Sequence, residues 1–206
     1  MKLSKTNNME NKDIRIGLVI MASGQGKRFG SNKLMEILES KPLVQWIIDI
    51  TDGLFDKRVV VTRSIDVKEL CDKLNVMCIY HEFPGRNDTV RLGLSAIMNE
   101  IDYCFFAPGD QPLIKRETIL KLINASGTYS NKIIRTCYGD ITGAPTGFPK
   151  ELFTDLLNLP DKKGGNWVVN NNKSLVETVM ARQEYELWDV DTVSDMEKIK
   201  KILGTI

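Results

Sequence analysis

No two of the four cysteines (Cys71, Cys78, Cys104 and Cys137) form a CxxC pair. Three of them lie in apolar runs, so reduced, buried thiols in a cytoplasmic protein are expected rather than a disulfide framework or a paired-cysteine metal site. The sole histidine, His81, follows an apolar strand-like run and is read as a loop or packing residue. Long apolar runs are also missing. None approaches the ~20 residues that a membrane span needs, and the opening "MKLSKTNNMENKD" is polar, without the apolar stretch of a signal peptide. Charge of one sign is lacking as well, with 28 basic residues against 27 acidic. That balance gives no broad positive field for nucleic acid or an anionic membrane, so any basic site must be local. No internal repeat, low-complexity segment or interdomain linker is present.

What remains is an ordinary globular composition, 42% hydrophobic and 27% charged over 206 residues. Residues 1–12 read as a flexible tail and 13–206 as one domain with a substantial core. The runs "IRIGLVIM", "RVVVT", "VMCIY", "DYCFFAP" and "NKIIRTCY" read as strands. Between them, "KPLVQWIIDITDGL", "DVKELCDKLN", "DTVRLGLSAIMNEI" and "KRETILKLINAS" read as helices, the third with Asp88 or Thr89 as its N-cap. This alternation predicts an α/β fold, a three-layer Rossmann-like arrangement with a mostly parallel sheet and helices on both faces. The last third is less regular. There "ITGAPTGFP" reads as turn-rich, "KELFTDLLNL" as helical, "LVETVMA" and "YELWDVD" as strands, and "TVSDMEKIKKIL" as a closing amphipathic helix.

In open α/β sheets ligands gather beyond the carboxyl ends of the strands, which draws attention to "ASGQGKRFGSNK" after the first strand. Glycines there permit positive φ and let backbone N–H groups approach an anion; Arg28 and Lys33 add charge. The loop is not a Walker loop, since Met21 stands where the first glycine belongs and Arg28 where Ser or Thr should be. Nor is it a dinucleotide fingerprint, because Gly24, Gly26 and Gly30 are spaced GxGxxxG.

"IMASGQGKRFGSNKLM" instead resembles the nucleotidyltransferase signature L-A-[AG]-G-x-[SG]-x-R-[MF]-G-x-x-K, found in enzymes that attach nucleotides to molybdopterin and to sugar and polyol phosphates. "GRNDTVRLGL" is similar to that family's R-x-x-[ST]-V-x-x-G-L segment and "FFAPGDQPLI" to its GDxP strand end. "GAPTGFPKELFTDLLNL", the "PDKKGG" patch and "WDVDTVSDMEKI" follow in the family's order, so the resemblance spans Ile16 to Ile199. Ala22 and Ser23 before Gly24 are closer to the MocA-like cytidylyltransferase form than to the guanylyltransferase form, whose "GPLAG" segment is absent. Val193 stands where the family has proline, and the glycine patch beginning at Asp161 carries one extra residue.

The resemblance implies a Mg²⁺- or Mn²⁺-dependent transfer of CMP from CTP to the phosphate of molybdopterin, with pyrophosphate leaving and a molybdenum hydroxylase receiving the product. It implies that Arg28, Lys33 and Asp110 are catalytic and that Asp110 and Asp191 hold the metal, with Asp189 as the alternative second ligand. Nucleotide contacts would come from Ala22, Ser23, Gly24, Gly26, Arg28, Lys33, Arg86, Thr89 and Gly109. Gly143, Pro145, Gly164 and Gly165 would line the acceptor side, and Trp167 is a candidate to stack on a flat acceptor. Two other readings stay open: a sugar or polyol phosphate as acceptor, and a non-catalytic carrier of the molybdenum cofactor.

Overall fold

The computed structural model describes residues 14–24, 29 and 32–204. The expected tail at 1–12, and Gly26 and Arg28 of the glycine loop, lie outside the described residues. A seven-stranded sheet runs in the order β5-β4-β1-β6-β8-β7-β9. Its strands are β1 (Ile16–Ala22), β4 (Lys57–Thr62), β5 (Cys78–Tyr80), β6 (Tyr103–Pro108), β7 (Ile133–Tyr138), β8 (Ile141–Pro149) and β9 (Val176–Met180). Two short strands, β2 (Ile37–Leu38) and β3 (Lys41–Pro42), pair with each other alone. All pairings in the large sheet are parallel except those of β8, which is antiparallel to both β6 and β7.

Alternation along β1 fixes the layers. Leu18 and Ile20 point to one side, where α1 (Leu43–Ile50), α2 (Ile65–Lys73), α4 (Arg116–Thr128) and α7 (Val193–Leu203) bury Ile47, Val67, Leu122 and Ile199 against them. Val19 points to the other side, toward α3 (Arg86–Ile97), α5 (Phe153–Leu157) and α6 (Gly165–Asn171). Each such buried aliphatic stabilises the fold by about 1.5–3 kcal/mol relative to exposure. Helix α3 sits unusually close, because a Cβ on Gly93 would lie 2.4 Å from a methyl of Val19. Only a glycine at that turn lets the helix settle onto the sheet.

The chain leaves β1 to build β4 and β5 on one side, then returns to build β6 on the other. The topological switch point therefore lies between β1 and β6, where two loops part and leave a crevice. Three elements depart from the sequence reading. "ITGAPTGFP" is the nine-residue strand β8, not a turn. Its Pro145 is accommodated because the register with β7 slips between Arg135 and Thr136, so the ladder skips residues 144 and 145 and asks no N–H of the proline. "YELWDVD" is not a strand. The Glu186 carboxylate accepts from the N–H groups of Arg182 and Gln183 at 2.9 and 3.2 Å, curling the chain into a 3₁₀ turn over Glu184–Leu187. Finally, α3 starts earlier than expected. Its N-cap is Gly85, whose N–H donates to the Asp88 carboxylate at 3.0 Å, so Asp88 acts from inside the first turn.

Candidate active site

At the switch point three distant segments are stitched together. The N–H of Gly109 donates to the Met21 carbonyl at 2.9 Å, and the N–H of Val190 donates to the Asp110 carbonyl at 3.0 Å. Asp110, just past β6, is thereby held between the end of β1 and the segment entering α7. The ammonium of Lys33 lies at the centre. It donates to Asp110 Oδ2 at 2.6 Å, to the Val190 carbonyl at 2.7 Å and to Asp191 Oδ1 at 3.1 Å, and the residue is only 6% exposed. Burial works to lower the Lys33 pKa, but Asp110 and Asp191 outweigh it and the pKa is raised, so the ammonium stays charged. Neighbouring Asp189 is pushed up to about 6, first by burial and then by the negative charge of Asp110.

Asp110, Asp189 and Asp191 border a cleft of about 740 Å³. One half is formed by Ser23 and Gly24 beyond β1 and by Arg86 and Thr89 in the first turns of α3. Asp110 and Asp191 stand at the seam, and Gly143, Gly164 and Gly165 line the far half. Four expected contacts are not among the lining residues. Ala22 is buried with its carbonyl accepting from the Thr62 hydroxyl at 3.0 Å. Gly109 is tied to β1 as described. Pro145 turns its carbonyl to the Thr136 hydroxyl. Lys33 is buried behind the cleft wall, its ammonium paired with Asp110 and Asp191. Gly24 is not in the left-handed region, and a Cβ there would meet no protein atom within 4 Å, so neither backbone conformation nor packing within the protein demands glycine at this position. Trp167 packs on the apolar cluster below α6 instead of facing the cleft. Gly164 supports another residue: a Cβ there would come within 2.9 Å of the Arg86 side-chain stem, which lies across it.

Several residues at or behind the site were given no site role from the sequence. His81, read as packing, is buried and its Nε2 lies 2.8 Å from the Ser23 hydroxyl. Because that hydroxyl donates to the Val61 carbonyl, Nε2 is assigned the proton, which leaves Nδ1 buried without a partner. Burial, then the charge of Arg63, lowers the His81 pKa, so the ring is neutral at pH 7. His81 stands behind Ser23, whereas Arg63, Gln111 and Arg135 line the cleft itself, each with a buried polar atom that has no hydrogen-bond partner. One available signal was position: Arg63 and Gln111 each follow a parallel strand at its carboxyl end. Arg135 lay inside a strand, where sequence gives no hint of which face it takes.

Whether a divalent cation suits this site can be judged from the donors. Among the described residues no three His, Cys, Asp or Glu side chains converge on a preformed metal cage. Asp110 and Asp191, however, converge on one positive charge with hard oxygen ligands. Magnesium and manganese sites of one or two carboxylates, completed by substrate phosphates and water, have this donor set.

Comparison with known proteins bears on the family and the fold. The chain is 27% identical over 197 residues to the bifunctional protein GlmU of Thermoanaerobacter pseudethanolicus, covering 92% of this chain but 40% of that protein. It is 31% identical over 117 residues to a probable molybdenum cofactor guanylyltransferase of Natranaerobius thermophilus, covering 53% of this chain and 54% of that one. The chain thus spans about half or less of the length of these two relatives. Among solved structures, Rv0371c of Mycobacterium tuberculosis superposes with a TM-score of 0.82 at 20% identity, over 91% of this chain and 98% of that one. Its complex with manganese superposes with a TM-score of 0.73 at 18% identity, over the same shares of the two chains. The model of the MobA-like NTP transferase domain matches residues 18–198, from within β1 into α7, and the chain belongs to that family of nucleotidyltransferases.

Proposed function

We propose that the protein transfers CMP from CTP to the phosphate of molybdopterin, releasing pyrophosphate, and that a molybdenum hydroxylase receives the product. The observation that carries this reading is the meeting of Asp110 and Asp191 on one ammonium at the edge of the switch-point cleft. The nucleotide lies over Ser23, Gly24, Arg86 and Thr89, and the acceptor enters beside Gly143 and Gly165. An acceptor phosphate oxygen attacks the α-phosphorus, the bond to the bridging oxygen breaks, and pyrophosphate leaves with the added negative charge. No side-chain nucleophile is needed, since the acceptor is already ionised at neutral pH. The barrier is electrostatic, and positioned charges lower it. Arg28 is assigned to the triphosphate. Lys33 is assigned to hold Asp110 and Asp191 in register. When bound by those two carboxylates, Mg²⁺ or Mn²⁺ supplies neutralisation of the phosphate charge.

Pyrophosphate release with CTP, GTP or ATP, molybdopterin and Mg²⁺ tests the reading. Turnover is expected with CTP. Equal turnover with GTP removes the base assignment, and none with any nucleotide removes the acceptor. A sugar or polyol phosphate is the second reading, favoured by the Arg86, Thr89, Val90 and Gly93 pattern on α3, and a panel of phosphorylated acceptors separates the two. If Asp110→Asn leaves cofactor binding and cellular activity intact, the protein is a carrier.

A further inference from the structure

Resting on that reading, we infer that Arg135 on β7 binds an anionic group of the acceptor, a phosphate or a carboxylate, and so selects what the enzyme modifies. Sheet register places it. Val19, Phe106, Thr146 and Arg135 are successive partners across β1, β6, β8 and β7, so their side chains share the face on which the cleft opens. At about 4.8 Å per strand, the Arg135 backbone lies about 14 Å from β1. A nucleotide seated over the β1 loop reaches Asp110 at the end of β6, and Arg135 lies two strands further, in the acceptor half.

The side chain is waiting for a partner. One guanidinium nitrogen donates to Asn166 Oδ1 at 3.3 Å, while Nε is buried with no hydrogen-bond acceptor. Among the described residues no ion pair is made by Arg135, and burial alone lowers its pKa, with no acid close enough to offset the cost. A half-desolvated guanidinium with an unused donor is unfavourable unless a ligand supplies charge. Its planar fork fits the paired oxygens of phosphate or carboxylate, and the neighbouring Asn166 amide keeps the fork oriented.

The test uses the whole chain with Mg²⁺ and α,β-methylene-CTP to fill the nucleotide half, then adds inorganic phosphate or malonate. The Nε–H resonance of Arg135, assigned by its loss in Arg135→Gln or Arg135→Lys, is expected to move downfield with one of these ions, which also tells phosphate from carboxylate. Arg135→Gln is expected to weaken that ion's affinity by about tenfold or more while analogue affinity changes by less than about twofold. A resonance unmoved by either ion overturns the inference, as does ion affinity unchanged in Arg135→Gln. Loss of analogue affinity in that variant also overturns it, by moving Arg135 to the nucleotide half. Should Arg135→Gln not fold, the wild-type resonance still decides. If the analogue itself fails to bind, it is the CTP reading that fails, and the resonance still reports on the ion.

Discussion

The two halves of the cleft are built by different means. The half proposed for the nucleotide comes from parallel strand–loop–helix units, with β1, β4 and β6 ending at a common edge and α3 starting beside them. The half proposed for the acceptor comes from a bulged antiparallel strand, a seven-residue helix and a 3₁₀ turn. Regular units fix a backbone edge with little dependence on particular side chains. The irregular half is set residue by residue, by Pro145 at the bulge, Gly164 under Arg86 and Glu186 in its turn. The first kind of construction suits a triphosphate common to many reactions, and the second suits an acceptor that differs between them.

The sharpest way to probe this division is at the seam. Asp110→Asn should lower kcat for pyrophosphate release about 10²–10³-fold, because it removes a charge facing the reacting phosphates, while leaving the fold intact by circular dichroism. Next in size is the acceptor half. Glu186 is fully buried and accepts from the N–H groups of Lys115, Arg182 and Gln183 and from the Thr118 hydroxyl at 2.6 Å. Glu186→Ala strands these donors and should cost about 3 kcal/mol in urea unfolding. It should also raise the acceptor KM more than the CTP KM; the reverse order would dissolve the distinction between the halves. Gly93→Ala pushes a methyl into Val19 and should cost about 1–3 kcal/mol, with the loss in CTP affinity exceeding any change in acceptor affinity.

The smallest effect is expected at the helix that follows the seam. Thr192 and Asp195 cap α7 reciprocally, with the Asp195 carboxylate accepting from the Thr192 N–H at 2.9 Å and its hydroxyl at 2.7 Å. Asp195→Asn should cost about 1 kcal/mol. Those hydrogen bonds, the Thr192 hydroxyl first, hold the Asp195 pKa below the usual carboxylate range despite partial burial. A depressed folded-state pKa means the stabilisation is complete above the unfolded carboxylate pKa and is lost as pH falls through the folded value. The Asp195→Asn penalty, measured by urea unfolding, should therefore shrink on acidification below pH 4 or so.

Legibility in the sequence follows the same division. The parallel strands and their helices announced themselves through apolar periodicity and β-branched runs, and Ser23, Gly24, Arg86, Thr89 and Asp110, which the family resemblance supplied, line the cleft at the edge those strands form. Local pattern failed where a tertiary partner decides the conformation. "ITGAPTGFP" looks like turns because its glycines and prolines are read one at a time, whereas β6 and β7 supply the pairing that makes it a strand. "YELWDVD" alternates like a strand, and a buried carboxylate curls it instead. Lys33 illustrates a different limit. Its presence in a basic loop suggested an exposed phosphate ligand, but only the fold could reveal that it is buried against two aspartates of the cleft wall. His81 and Arg135 acquired their neighbours from strand register, which a single sequence does not encode visibly.

The stitch between Asp110 and Val190 also bears on when the molecule becomes competent. One acidic partner is translated midway and the other close to α7, whose Met196 and Ile199 must pack before that segment is held. A nascent polypeptide that has already assembled β1 through β8 has the half of the crevice around β1, β6 and α3 but lacks the wall of Gly164, Gly165 and Asn166 and the second carboxylate. On the roles proposed for Asp110 and Asp191, a fragment truncated before Asp191 is expected to release no pyrophosphate, however well it folds.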